Sequence, residues 1–157
     1  MNEEENIRQE LEEKFDCLKG AVVLQRKRRI FADIPLEKFS EVFVYAVEGL
    51  GFKALSAITG LDSGEAFSVI YHLNREGEIV LSLRVNLKKE NPEINSVAAH
   101  FASADIYERE LVDLLGIRVL GLAPGNRYPL PDNWPKDEHP LRKDWKGGNY
   151  KNEVKNE

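Results

Sequence analysis

The sequence predicts an α+β domain: an antiparallel sheet of about four strands, helices mainly on one of its faces, and an extended proline-rich arm at the C-terminal end. Three observations predict it. Two runs near the middle of the chain alternate apolar and polar residues with period two, the pattern of a sheet with one buried face. Segments before and after them carry apolar stripes at helical spacing. Beyond residue 120, five of the seven prolines crowd into residues 124–140, where a backbone short of N–H donors sustains neither a helix nor a central strand.

Residues 3–19 place Ile7, Leu11, Phe15 and Leu18 along one side of a charged helix, with Gly20 as its stop. Two short segments, 21–25 and 29–33, flank the basic run Gln25-Arg26-Lys27-Arg28-Arg29 and predict a first hairpin or a strand with a polar bend. Pro35 suits a helix start, and Leu36, Phe39, Phe43, Ala46 or Val47, and Leu50 form the second stripe, closed by Gly49 and Gly51. Residues 54–59 predict a strand. Phe67, Val69, Tyr71 and Leu73, then Ile79, Leu81, Leu83, Val85 and Leu87, predict the apolar face of an antiparallel hairpin. A helix over 104–115 carries Tyr107, Leu111, Leu114 and Leu115 and stops at Gly116; a short strand over 117–120 closes the domain. The chain is thus divided into a domain over 1–120, an arm over 121–145 and a flexible tail over 146–157.

Composition narrows the function. Cys17 is the only cysteine, so neither an internal disulfide nor the thiolates of an iron–sulfur cluster are available, and a reducing compartment is the natural setting. The three histidines, His72, His100 and His139, show no metal-ligand spacing. A net charge of -5 exerts no global pull on nucleic acid or anionic lipid. The opening Met-Asn-Glu-Glu-Glu is no signal peptide, and the densest apolar stretch, 42–47, is too short to cross a bilayer. Any membrane association is expected through a partner. The arm is the anomaly: it holds both tryptophans, Trp134 and Trp145, with Tyr128, Leu130 and Leu141. Disordered tails are poor in aromatics, so these anchors need a surface, their own domain's or another chain's.

Three stretches together resemble a known family. Tyr107-Glu108-Arg109-Glu110, then Asp113 and Leu115-Gly116-Ile117, is similar to the motif of the 30 kDa (C-type) subunit of complex I-type NADH:quinone oxidoreductases and related membrane-bound nickel–iron hydrogenases. His139-Pro140-Leu141-Arg142-Lys143-Asp144 resembles that family's closing signature, and Arg127, Leu130, Pro131 and Trp134 fall between at the family's spacing. Gly51-Phe52, Leu55, Thr59-Gly60, Asp62 and Val69-x-Tyr71-His72-Leu73 fit upstream. After Gly121 the chain departs from the family, with Leu122-Ala123-Pro124-Gly125-Asn126-Arg127 where His-Pro-Asp-Leu-Arg-Arg is usual. That departure leaves open whether the parent complex is a quinone reductase or a hydrogenase.

The resemblance implies a structural subunit without flavin, nickel or cluster of its own, in the peripheral arm on the cytoplasmic side of a membrane complex. Its implied partners are the large catalytic subunit, which resembles that of nickel–iron hydrogenases, and neighbouring iron–sulfur subunits; flavin or nickel–iron belongs to the partners. No catalytic, cofactor or metal residue is assigned. The implied docking residues are Glu108, Arg109, Glu110, Asp113, Arg127, Trp134, His139, Pro140, Leu141, Arg142, Lys143, Asp144 and Trp145. Glu108, Arg109 and Asp113 would tie their helix to the arm or to a partner, guanidinium suiting the task because its fork takes carboxylates in pairs.

Two other classes compete. A soluble hydrolase would use His100 or the Glu108 and Asp113 carboxylates, but no nucleophile motif accompanies them. A small RNA-binding module would use the basic run, which lacks interleaved aromatics and reads better as a polar hairpin end. On helical spacing alone, Asp105, Arg109 and Asp113 also form i,i+4 pairs worth a few tenths of a kcal/mol on a solvated face.

Overall fold

The computed structural model describes residues 2–76 and 78–147. Helix α1 (Glu3–Lys14) starts at an Asn2 cap whose side chain accepts the Glu5 N–H while the Glu5 carboxylate accepts the Asn2 N–H. These reciprocal bonds satisfy two donors left orphaned at the helix start. A hairpin follows, β1 (Val22–Arg26) and β2 (Arg29–Ile34). Helix α2 (Phe39–Val44) continues into a π-turn over Tyr45–Gly49. Strands β3 (Ala54–Asp62), β4 (Ala66–Arg75) and β5 (Ile79–Lys88) then form a meander. Short β6 (Glu93–Asn95) precedes α3 (Ala104–Glu110), which runs into a second π-turn over Leu111–Leu115, and β7 (Arg118–Leu120) ends the regular structure.

The main sheet has five strands in the order β1-β2-β5-β4-β3. Its period-two pattern is borne out: Phe67, Val69, Tyr71 and Leu73 on β4 and Ile79, Leu81, Leu83, Val85 and Leu87 on β5 are all buried. Ile7, Leu11, Phe39, Val42 and Phe43 belong to the same core, so the helices cover this one face. The Tyr71 ring lies 4.7 Å from that of Phe39 and 5.7 Å from that of Phe43. Aromatic contacts at such distances add about 0.5–1.5 kcal/mol to the area they bury.

Two expectations about the sheet need correction. It has five strands and is not wholly antiparallel: β2 and β5 pair in parallel, Arg29 opposite Val80 through Ile34 opposite Val85. The hairpin β1–β2 adds to the meander through β2, and this register puts Ile30, Ala32 and Ile34 on the buried face with Leu81, Leu83 and Val85. One residue of slip would turn β2's apolar set to solvent. The strand expected at 117–120 forms as β7 and pairs in parallel with β6, in a separate two-stranded sheet. Both long stripes also end early as regular α-helix. The first stops at Lys14 before a tight turn over Asp16–Leu18, and the second begins at Phe39 after a turn over Leu36–Lys38. The segment read as a flexible tail lies, from residue 148 onward, outside the described residues.

Candidate functional site

The motif helix α3 lies against β3 because Gly60 lets it. A Cβ on Gly60 would sit 2.5 Å from Leu111 Cδ2 and 2.7 Å from Leu115 Cδ1, so any side chain there would force those two leucines to repack. The Tyr107 hydroxyl donates to the Ser56 carbonyl at 2.9 Å and sets the other end. With α3 placed, its charged side chains divide by direction.

Glu108 points into the domain and is 0% exposed. Its carboxylate accepts the Ser96 hydroxyl and the Val97 N–H, each at 2.7 Å, and so anchors the turn that follows β6. Burial pushes this carboxyl above the usual range, and the two hydrogen bonds only partly pull it back. Arg109 grips Asp105 through Nε and Nη2 at 2.7 and 2.9 Å. Its Nη2 also donates to the Ala123 carbonyl at 2.9 Å and its Nη1 to the Asn126 carbonyl at 3.3 Å, holding the start of the arm.

Asp113 organises the next stretch. Its carboxylate, in a residue only 5% exposed, faces the Arg127 guanidinium at 3.1 Å and accepts the Leu130 N–H at 3.1 Å. Arg127 Nη1 then donates to the Trp134 carbonyl at 2.8 Å. The arm turns back so that His139 Nδ1 meets the Asp113 carbonyl at 2.8 Å and the Leu141 N–H reaches the Leu114 carbonyl at 3.0 Å. Arg142 Nε donates to the Leu115 carbonyl at 2.6 Å. It thereby caps the π-turn, whose last carbonyls have no partner within the helix.

Gly116 makes that cap possible. Its φ of 68° is left-handed, and a Cβ there would lie 2.6 Å from both Arg142 Nη2 and the His139 ring. The indoles of Trp134 and Trp145 pack together at 6.1 Å and 37°. Trp134 Nε1 donates to the Glu138 carbonyl and Trp145 Nε1 to the Glu138 carboxylate, at 2.9 and 3.2 Å.

The structure therefore gathers Glu108, Arg109, Asp113, Arg127, His139 and Arg142 around one helix, but it turns them inward onto this chain's own backbone and carboxylates. The outward-facing part of the arm is different. Tyr128 is 41% and Leu141 53% exposed, beside exposed Pro129 and Pro131. Glu110 and Pro140 are half-buried, and Lys143 and Asp144 are exposed.

Sequence reasoning missed one participant. Asp62 at the end of β3 accepts the Lys143 N–H at 2.9 Å, the Gly64 N–H at 2.8 Å and Lys89 Nζ at 2.8 Å, pinning the closing signature to the sheet. The Arg142 guanidinium and Lys89 ammonium stand over the Phe67 ring at 5.1 and 5.2 Å. The available signal was Asp62's place at a strand end before Ser63-Gly64, which reads equally as turn chemistry.

Burial alone would raise the Asp62 carboxyl. The hydrogen bonds from Lys89, Lys143 and Gly64, with the Lys89 charge, outweigh it and bring the group from 3.8 to about 2. A depressed carboxyl stabilises the fold above its unfolded value, and that stabilisation disappears as pH falls through the folded one. Asp62→Asn should thus melt well below the wild type at pH 5, by about 2 kcal/mol for charge-assisted bonds lost. The gap should close between pH 4 and pH 2. Melting curves across that window check it; a gap independent of pH would assign the loss to shape alone.

Among the described residues no helix is long and apolar enough to cross a membrane, and no three His, Cys, Asp or Glu residues group as a metal ligand set.

Comparison with known proteins matches residues 32–151 to the family described as the respiratory-chain NADH dehydrogenase 30 kDa subunit. The chain is 34% identical over 122 residues to the C subunit of F420H2 dehydrogenase from Methanosarcina mazei, covering 76% of this chain and 77% of that one. It is 31% identical over 116 residues to the C subunit of NADH-quinone oxidoreductase from Moorella thermoacetica, covering 72% and 77%. Against the C/D subunit of NADH-quinone oxidoreductase from Phocaeicola vulgatus it is 38% identical over 117 residues, 72% of this chain but only 22% of that longer one. Among solved structures, a chain of the membrane-bound sulfane sulfur reductase, an archaeal respiratory membrane complex, shares the fold with a TM-score of 0.80 at 21% identity, covering 92% of this chain and 86% of that one. The trypsin-resistant fragment of Nqo5 aligns with a TM-score of 0.64 at 27% identity, over 77% of this chain and 98% of the fragment.

Proposed function

Because the chain belongs to the respiratory-chain NADH dehydrogenase 30 kDa subunit family, we propose that it is a non-catalytic structural subunit of a complex I-like respiratory enzyme. In this reading it carries no cofactor and sits peripherally on the cytoplasmic side of the membrane complex. Its arm, residues 121–145, docks the large catalytic subunit, resembling that of nickel–iron hydrogenases, beside iron–sulfur neighbours. Its work is register: clusters held by other subunits stay at fixed short distances because this one does not yield.

One observation carries the reading. Arg127 and Arg142 brace the arm against the chain's own carbonyls and Asp113, while Tyr128 and Leu141 remain exposed on a backbone poor in donors. An extended segment braced from behind, with apolar side chains facing out, fits a preorganised protein contact. The Phocaeicola vulgatus relative supports a neighbouring subunit, since a single chain there is named for both C and D. The hydrolase reading gains no such support. Glu108 is sealed behind Ser96 and Val97, and Asp113 is occupied by Arg127.

Deleting residues 121–157 tests it. The truncated chain should keep the sheet's circular dichroism and a cooperative melt, yet no longer bring the large subunit down when a tagged copy is purified from its native membranes. The core should survive because the arm adds no strand to the five-stranded sheet. The trypsin-resistant Nqo5 fragment, which aligns with 77% of this chain, agrees with a separable core. Undiminished co-purification would move the docking surface to the sheet's open face.

A further inference from the structure

At the end of the sheet opposite Asp62, two turns meet. Arg28, in the β1–β2 turn, and Glu78, in the β4–β5 turn, both adopt left-handed backbones, with φ of 63° and 64°. Residues other than glycine hold that conformation only where their surroundings impose it. Here the two turns are tied to each other. The Arg28 guanidinium pairs with the Glu78 carboxylate, and Arg29 Nη1 donates to the carbonyls of both Arg28 and Glu78, at 2.9 and 3.2 Å. The Arg28 N–H donates to Glu4 at 2.7 Å, and its carbonyl accepts the Val80 N–H at 2.9 Å.

These paired turns border an open hollow of about 1000 Å³ whose lining includes Arg26, Lys27, Arg28, Arg29 and Arg75. The nearby carboxylates are mostly committed: Glu78 to Arg28, Glu3 to Arg75 at 2.7 Å, and Glu4 to the Arg28 N–H. Glu76 also lines the hollow. Arg26 and Lys27 form no ion pair among the described residues. A rim carrying five cations, of which Arg26 and Lys27 are outside any ion pair among the described residues, in a chain of net charge -5, is local charge arranged against the global balance.

We infer that this basic end of the sheet docks an acidic polypeptide segment, with Arg26 and Lys27 as the principal contacts. Among the described residues the lining has no aromatic ring on which nucleotide bases could stack and, Val80 apart, no apolar side chain to enter a lipid interface, which favours carboxylates on a peptide over RNA or a membrane. The inference is independent of the arm, at the other end of the domain.

The test uses the full chain and a fluorescein-labelled hexaglutamate peptide, with phosphatidylserine vesicles and poly(U) RNA as alternative ligands. The peptide should bind at low salt and be released as salt rises. R26Q/K27Q should weaken binding about tenfold, whereas K88Q/K146Q, the same charge change at exposed positions elsewhere, should leave it within about twofold. Absence of peptide binding by the wild type overturns the inference. So does equal weakening by both double variants, or tighter binding of vesicles or RNA than of peptide.

Discussion

Asp113→Ala should free the arm while leaving the sheet folded. In the native chain this carboxylate compensates a guanidinium that is only 18% exposed and satisfies the Leu130 N–H. Removing one member of a nearly buried pair strands the other, at about 3–5 kcal/mol. That loss need not fall on the whole domain, because Arg127 and Leu130 regain water if the arm alone lifts away. Both tryptophans of the chain are in the arm, so their emission reports it and nothing else. The variant should show red-shifted tryptophan emission and rapid tryptic cleavage after Arg127 or Lys136, with the far-ultraviolet spectrum of the sheet retained. Asp113→Asn, which keeps an acceptor for Leu130 but not the charge, should fall between. Wild-type emission in the alanine variant would mean that the indole pair and Arg142 hold the arm without Asp113.

Much of this was legible in the sequence. Alternation over 67–73 and 79–87 gave the central hairpin and its buried face, because period two has one meaning when one side packs. Gly116 announced the helix end, and its left-handed φ agrees. The parallel pairing of β2 with β5 was not legible. Which edge of a meander a hairpin joins depends on matching apolar faces across 51 residues, and no local signal encodes that. Strand β6 was hidden behind Asn91-Pro92-Glu93, residues that read as turn. The two π-turns depend on how each helix end meets its neighbours, which no residue count reveals.

The direction in which the charged groups of the candidate site point was not legible. These groups were named from motifs, and spacing cannot say whether a guanidinium reaches a partner or its own chain. Arg142 and Arg127 reach their own chain. Asp62 went unassigned because a carboxylate before Ser-Gly at a strand end looks like turn chemistry, and its third partner, the Lys143 N–H, is 81 residues away.

Glu108→Ala should cost about 3 kcal/mol, lowering the melting temperature of a chain this size by about 6–12 °C. The buried Val97 N–H and the Ser96 hydroxyl both lose their acceptor, and the vacated space adds a cavity. Glu108→Gln is the informative companion. Its carbonyl oxygen can accept the Val97 N–H and its amide can donate to Ser96, whose hydroxyl oxygen otherwise accepts the Ala98 N–H at 3.1 Å.

The two forms differ most in their response to pH. Burial raises the Glu108 carboxyl above its ordinary 4.5, so the native state keeps that proton to higher pH than the unfolded chain does. The group's contribution is then largest below about pH 4.5 and declines as pH climbs through the raised value, the reverse of Asp62. Glu108→Gln should abolish that decline, so its stability relative to wild type improves as pH rises from 4.5. The same carboxylate, after burial itself, keeps the Tyr71 phenol protonated well above its usual range. Among the described residues that buried hydroxyl has no hydrogen-bond partner, so Tyr71→Phe removes none of the bonds seen and should leave the pH profile in place. If the pH profile of Glu108→Gln parallels that of the wild type, the buried carboxylate is ionised throughout, and the turn after β6 is held by charge rather than by shape.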